Sequence, residues 1–451
     1  MLIEDQFGYP VPPEAAPALG AWNACVTGFL AHAAETPARL EAALAAAPGF
    51  AMAQAARGLF LLLLARPECA EAARGALAAA RAGASDARSP AYLAALALGL
   101  EGRFGLAADR LDALLADWPR DALAAKLVQA LRFMIGDAAG MRRSVEGVLA
   151  SVPSDHPHHA FLRGCRAFAL EETGACAEAE RVGRGAVADR PDDAWGLHAV
   201  LHVFETTGRA GDGLRWMAGR EADWAGCNNF AFHIHWHEAL FHLDLGDRAA
   251  ALALYDARVR AERTDDFRDV ANAASLLARL EIEGVAAGDR WEELADIAER
   301  RAGDACAVFA DLHYLMALAG AGRRTAANRL AARIAAEARR ESPDDVAEAA
   351  RQGGGLAASG LAALAAHDAE TAASRLGRAA PKLRRIGGSH AQRDVFHWLA
   401  ISAALQAGRR DLAAEALLAR RRGRQGRDGF TRRRLGEIAA SAAAERGVVG
   451  V

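Results

Sequence analysis

From about residue 15 onward, apolar residues recur at i, i+3, i+4 and i+7 with polar residues between them, and strand-type alternation is scarce. That period belongs to amphipathic helices. It predicts helices over Ala15–Ala34, Ala38–Ala47, Phe50–Ala65, Cys69–Ala82 and Ala91–Leu100, the first stopped before Pro37. Ala-Pro-Gly at 47–49 and Gly-Ala-Ser-Asp at 83–86 supply turns between them.

A longer period follows. Turn glycines recur at Gly102, Gly136, Gly174, Gly208 and Gly246, spaced by 34, 38, 34 and 38 residues, and Pro119, Pro153 and Pro191 fall between them. Glycine ends one helix and the Pro-Asp turn opens the next pair, which is helix–turn–helix repetition at the tetratricopeptide length. Degenerate turns continue at Gly288-Asp289, Gly320–Gly322, His367-Asp368 and Gly408-Arg409. The expected fold is therefore all-α: a tetratricopeptide-like helix–turn–helix α-solenoid, wound as a right-handed superhelix with a concave face for binding. Along the chain this gives an extended N-terminal arm (1–14), N-terminal repeats (15–190), central His-rich repeats (191–260) and degenerate C-terminal repeats with an Arg-rich end (261–451).

Composition agrees with an array. The 451 residues exceed one compact core, and the 52% hydrophobic content holds only 6% aromatics, so the apolar residues are mainly Ala, Leu and Val. A net charge of −3 gives no global case for nucleic acid or an anionic membrane. Six scattered cysteines without a CxxC pair suit a reduced, cytoplasmic setting. The N-terminus MLIEDQFGYPVPPEAA has acids and prolines where an export signal needs basic and apolar residues, and the apolar stretch Gly58–Ala65 is too short to span a bilayer. A homodimer through end helices is left open.

The segments HAVLHVFETTGR (198–209), CNNFAFHIHWHEALFHLDLGD (227–247), ALYDARV (253–259) and GGSHAQRDVF (387–396) give the chain a further feature. Through them it resembles the tetratricopeptide repeat protein 38 family over most of its length. The resemblance implies a helical-repeat fold and little about function.

Six of the fourteen histidines lie between His198 and His242. At about 100° per residue, His198 and His202 project about 40° apart and Glu205 falls within about 20° of His198. This H-x3-H-x2-E pattern lets two imidazoles and a carboxylate reach one ion, although it is not HExxH. On the next helix His233, His237 and Asp244 share one face and His235, Glu238 and His242 the other. His233 and His237 repeat the i, i+4 spacing and are the partners expected for His198 and His202.

Any one of these histidines has an ordinary reading as an inter-helix hydrogen-bonding residue. As a set they point to a pocket for a small polar metabolite. In it His198, His202, His233 and His237 are the candidate ligands of a divalent metal such as zinc, and Glu205 or Glu238 is a ligand or general base. A bound ion with an open position lowers the pKa of its water to near 7, which suits amide hydrolysis or deamination. Without metal, the same groups act as acid and base.

Trp195, Trp224 and Trp236 flank the cluster, as pocket walls or as core, and Asn228 or Asn229 caps the helix that follows. Two distant segments are candidates to join: Asp311–Tyr314 with His313, and GGSHAQRD, in which Ser389 caps a helix carrying His390, Arg393 and Asp394. There the first-turn amides and Arg393 would hold an anionic group. Adjacent Ser389 and His390 point about 100° apart, which argues against a catalytic triad. His156, His158 and His159 are expected at an exposed turn. The stretch Arg420–Arg434 is expected to solvate the end of the array, and nucleic acid is not an expected partner. The alternative to a metabolite pocket is an interaction scaffold holding a peptide or partner helix in its groove. A scaffold spreads polar ladders along its repeats, whereas this chain concentrates unlike polar residues at one place.

Overall fold

The computed structural model describes residues 3–424 and 428–448, and among these it is all helical, with isolated β-bridges and no strand. Successive helices pack on one another along the chain. The expected helix over Ala15–Ala34 is instead a 3-10 segment, Pro13–Ala18, followed by an α-helix, Leu19–Leu30. Pro17 inside the first segment has no amide hydrogen to donate, so a full α-turn cannot close through it. Pro37, before which the first helix was expected to stop, opens the next one: Pro37, Pro67 and Pro90 sit in the first turns of Thr36–Ala46, Pro67–Ala82 and Ser89–Leu100, where the missing N–H has no helical partner to lose.

The recurrent glycines end helices in a common way. Gly102, Gly136, Gly174, Gly208 and Gly246 all have φ between 67° and 86°. In each case the next residue's N–H bonds the carbonyl five positions back: Arg103 to Leu98, Asp137 to Arg132, Ala175 to Leu170, Arg209 to Phe204 and Asp247 to His242. The left-handed residue thus turns the chain while satisfying a helix-end carbonyl. The same bond recurs at Arg323, Asp368 and Arg409, and at Asp368 the left-handed position is His367, with φ 60°.

Contacts divide the chain into two units, residues 1–200, 219–231 and 341–348 against 201–218, 232–340 and 349–451. The first unit has one continuous apolar core that runs from Phe7 and Tyr9 through Trp22, Phe50 and Tyr92 to Phe161. Its N-terminal arm is non-helical to Pro12 and docked, with Asp5 buried against Arg88 at 2.6 Å and Arg88 against Asp121 at 3.0 Å. The turn holding His156, His158 and His159, expected in solvent, is partly covered. His158 is buried, its Nε2 lies 3.1 Å from Thr27 Oγ1, and Phe7 of the arm packs on its ring at 5.6 Å. The arm and the Leu19–Leu30 helix close over it.

The helices that carry the candidate residues are α1 (Ala194–Thr206), α2 (Phe230–Leu245), α3 (Phe267–Ile282), α4 (Val308–Gly320), α5 (His390–Gln406), α6 (Arg410–Gly423) and α7 (Gly429–Val448). In the second unit α3 packs on both α4 and α5, α5 on α6, and α6 on α7. Trp398 of α5 stacks on Phe430 of α7 with ring centres 3.6 Å apart, and Ile401, Leu417 and Leu435 fill the space around them. No helix among the described residues is long and apolar enough to cross a membrane. Residues 1–2 of the expected arm, 425–427 of the Arg-rich stretch and 449–451 lie outside the described residues.

Candidate functional site

Local sequence fixes the two helices that present the histidines. Asp193 opens α1 by accepting the Gly196 N–H at 3.1 Å, and Gly208 closes it. Asn228 receives the first amide of α2, from Phe230 at 3.0 Å. Asn229 is half-buried just before that helix. On α2 the sequence puts polar groups on opposite sides, and the structure uses them differently. His235 bonds Glu238 at 2.9 Å and His242 lies 3.4 Å from Asp247 on one side, while His233 and His237 are buried on the other. Glu238, expected as a ligand or base, is therefore turned to His235, its i−3 neighbour, and away from the cluster.

Within the second unit His202, His233 and His237 converge. The His202 and His237 rings are 4.6 Å apart at 63°, and the His233 and His237 rings 4.9 Å apart at 80°. Each residue offers one nitrogen within 4.8 Å of the other two. Tetrahedral coordination at ~2.1 Å per bond asks for nitrogens roughly 3.4 Å apart, so the rings would have to close by up to about 1.4 Å to share one ion. His198 sits one turn before His202 on the same helix and packs in the first unit between Phe168, Trp195 and Phe230, with ring centres 5.0–5.5 Å away.

A second layer holds the rings. Asn272 Oδ1 lies 2.9 Å from His233 Nδ1, Trp236 stacks on His233 at 5.1 Å, and its indole N–H donates to Ser275 Oγ at 3.1 Å. His390 arrives from α5, its ring 5.6 Å from His202 and its Nε2 2.5 Å from Thr206 Oγ1. The GGSHAQRD segment thus reaches the cluster through His390. Ser389 stays in a capping box with Gln392, and Arg393 folds back onto the carbonyls of Gly387 and Gly388. One nitrogen of the expected anion fork, Arg393 Nη1, thus bonds its own turn. His313 does not join either: it is buried with Nδ1 2.7 Å from the Phe309 carbonyl one turn back. Trp195 and Trp224 belong to the first unit, and within the second unit Trp236 walls the cluster.

Burial sets the charge state. It pushes the His233 imidazole down to about 4, against the opposing pull of Asn272 and Glu205. His237, wholly buried, is held well below its ordinary value by burial and then by His202, His233 and His390. Both rings are neutral at neutral pH, the form that presents a lone pair. Glu205 stands at the edge of the cluster. Its Oε2 is 3.9 Å from His237 Nδ1, too far for a hydrogen bond, while Oε1 receives Arg424 at 3.2 Å.

Arg424 opens onto a buried ionic network. Arg420 grips Asp394 with two bonds of 2.7 and 2.6 Å and reaches Asp428 at 2.8 Å, and Trp398 donates to Asp394 at 3.1 Å. Burial alone would raise the Asp394 carboxyl, but Arg420 and then Arg424 hold it well below the usual range. The arginine-rich stretch is thus partly internal. Arg420 and Arg424 are buried, and Arg433 and Arg434 donate to the carbonyls of Asp244, Leu243 and Ile282, where helix ends leave acceptors open. Between Glu205, Arg279, Asp394, Trp398, Arg420 and Arg424 lies a small cavity of about 30 Å³.

Sequence reasoning passed over Asn272, Ser275 and Arg279. Their signal was available: in VANAASLLARLEI they stand at i, i+3 and i+7, one polar stripe on an apolar helix. No protein-family model matches the chain.

Proposed function

We propose that both units are built from tetratricopeptide-like helical repeats and that the histidine cluster holds a divalent ion such as zinc. His202, His233 and His237 would be its ligands, in a pocket for a small polar metabolite whose amide or amine bond is hydrolysed. The observation that carries this reading is the meeting of three imidazole nitrogens within 4.8 Å beside a buried carboxylate oxygen, Glu205 Oε2, that accepts no hydrogen bond among the described residues. Neutral, buried imidazoles are the ligand form, and Asn272 orients His233 as an outer partner does at metal sites.

A bound ion supplies a water acidic enough to ionise near neutral pH. The chain's own groups do the rest. Glu205 Oε2 takes the proton of the attacking water and passes it to the leaving nitrogen as the carbon–nitrogen bond breaks, and Arg424 holds the carboxylate in place through Oε1. Trp236 and the apolar residues around the cluster exclude bulk water. The six scattered cysteines, without a CxxC pair, support a reduced, cytoplasmic setting.

The test is turnover of a panel of small amides by zinc-replete protein, with Glu205→Gln alongside. The reading expects release of amine that depends on added zinc, and a loss of roughly 100-fold or more in Glu205→Gln with zinc content unchanged. Turnover that survives the substitution would remove Glu205 from the chemistry. Zinc-replete protein inactive on every amide would favour the interaction scaffold.

A further inference from the structure

We infer that Arg279 is the anchor for a carboxylate carried by the small molecule, so that the substrate class is amides bearing a free carboxylate; this rests on the proposed metabolite site and names what it recognises. Arg279 is 2% exposed. A guanidinium in that position normally sits against a carboxylate, because an isolated buried charge is costly. Among the described residues Arg279 has none. It donates to two backbone carbonyls, Ser275 at 3.1 Å and Ala391 at 2.9 Å. That uses two of the five N–H groups of an arginine, and the side chain lines the small cavity beside the cluster.

The nearby acids bond other partners, apart from Glu205 Oε2, which lies 3.9 Å from His237 Nδ1. Both oxygens of Asp394 are gripped by Arg420, and Glu205 Oε1 belongs to Arg424. Asp244, also on the cavity wall, accepts the Gly429 amide at 2.6 Å. No carboxylate oxygen of the network bonds Arg279 among the described residues, and Asp394 and Glu205 act on it only across space. Two indoles flank the guanidinium, whose carbon is 5.5 Å from the centre of the Trp236 ring and 5.8 Å from that of Trp398, and Trp398 also lines the cavity. Flat walls beside a planar donor fork suit a planar carboxylate, which takes two parallel N–H bonds, better than a tetrahedral phosphate. The cavity volume of about 30 Å³ has room for roughly two water-sized atoms, the two oxygens of such a group. Trp236 also packs on His233 and His237, so a group seated on Arg279 lies one side chain from the candidate metal ligands.

The experiment titrates N-acetylglycine and its neutral counterpart N-acetylglycinamide into the full chain by calorimetry, with inorganic phosphate as a competitor and zinc content measured on the same samples. Wild-type protein is expected to bind the acid roughly 10- to 100-fold more tightly than the amide, the worth of a charge-assisted pair. Arg279→Met should erase that preference. Should Arg279→Met not fold, Arg279→Lys keeps the charge without the fork and should reduce the preference several-fold while retaining the wild-type helical signal. Equal binding of acid and amide, no binding of either, a preference unchanged in these variants, or displacement of the acid by equimolar phosphate would each overturn the assignment. The two readings fail separately. Protein that discriminates but holds no zinc overturns the hydrolytic site alone, and protein that holds zinc but does not discriminate overturns the Arg279 anchor alone.

Discussion

Asp193 gives the sharpest test of how burial shapes this chain. Its side chain is fully buried, with Oδ1 capping α1 through the Gly196 N–H at 3.1 Å and Oδ2 making no hydrogen bond among the described residues. Burial pushes the carboxyl up to about 7, with the Gly196 amide and Lys126 pulling the other way. A carboxyl whose folded pKa lies above its unfolded value keeps its proton longer in the folded state. Its contribution is intact below about pH 4 and is lost as pH rises toward 7. For a shift from 3.8 to about 7, linkage gives a loss of about 2.5 kcal/mol between pH 5 and pH 8.

Asp193→Asn keeps the capping oxygen and cannot ionise. Its amide nitrogen would lie where Oδ2 now presses against Gly164 and Gly196, at a cost of about 1–3 kcal/mol that does not vary with pH. The variant should therefore gain about 2.5 kcal/mol on wild type from pH 5 to pH 8, about 5–10 °C in the melting temperature of a unit of this size. Thermal unfolding followed by far-ultraviolet dichroism at half-unit pH steps measures it. Parallel pH curves for the two proteins would refute the reasoning.

Other consequences are simpler. Asp394→Asn removes the charge that Arg420 and Arg424 share and should cost about 1.5–3 kcal/mol in urea unfolding, because those guanidinium groups then keep only Asp428 and Glu205 as carboxylate partners. Gly213→Ala places a methyl 2.4 Å from the Phe241 ring, with a predicted loss of about 1–3 kcal/mol in the same assay. Gly246→Ala, at φ 86° and with open space around its Cβ, should cost about 1 kcal/mol through backbone strain alone, and the difference between the two glycine variants separates crowding from conformation.

How far the sequence could be read depended on the range of the interaction. The glycine phase at 102, 136, 174, 208 and 246 was legible because each glycine acts within its own turn. The pairing of His233 with His237, and their separation from His235 and Glu238, follows from helical angle alone. Helical angle also supplied the cue that Glu238 belongs to His235 at i−3, since a pair on one face meets before either reaches another helix. His390 meeting Thr206 crosses 184 residues and has no local signal. The arginines at 420 and 424 read as a solvated run, because nothing nearby in sequence announces that Asp394 and Glu205 will be folded against them. The stripe of Asn272, Ser275 and Arg279 was readable, and its meaning became plain only beside Trp236 and His233.

The central claim is that the imidazoles of α1 and α2 form a metal site, and elemental analysis of tag-free protein by mass spectrometry tests it directly. Wild type is expected to retain close to one equivalent of a divalent ion after dialysis against a weak chelator. A His202→Ala/His237→Ala double variant with an unchanged helical signal should retain none. No bound ion in either protein, or equal retention in both, would contradict the account.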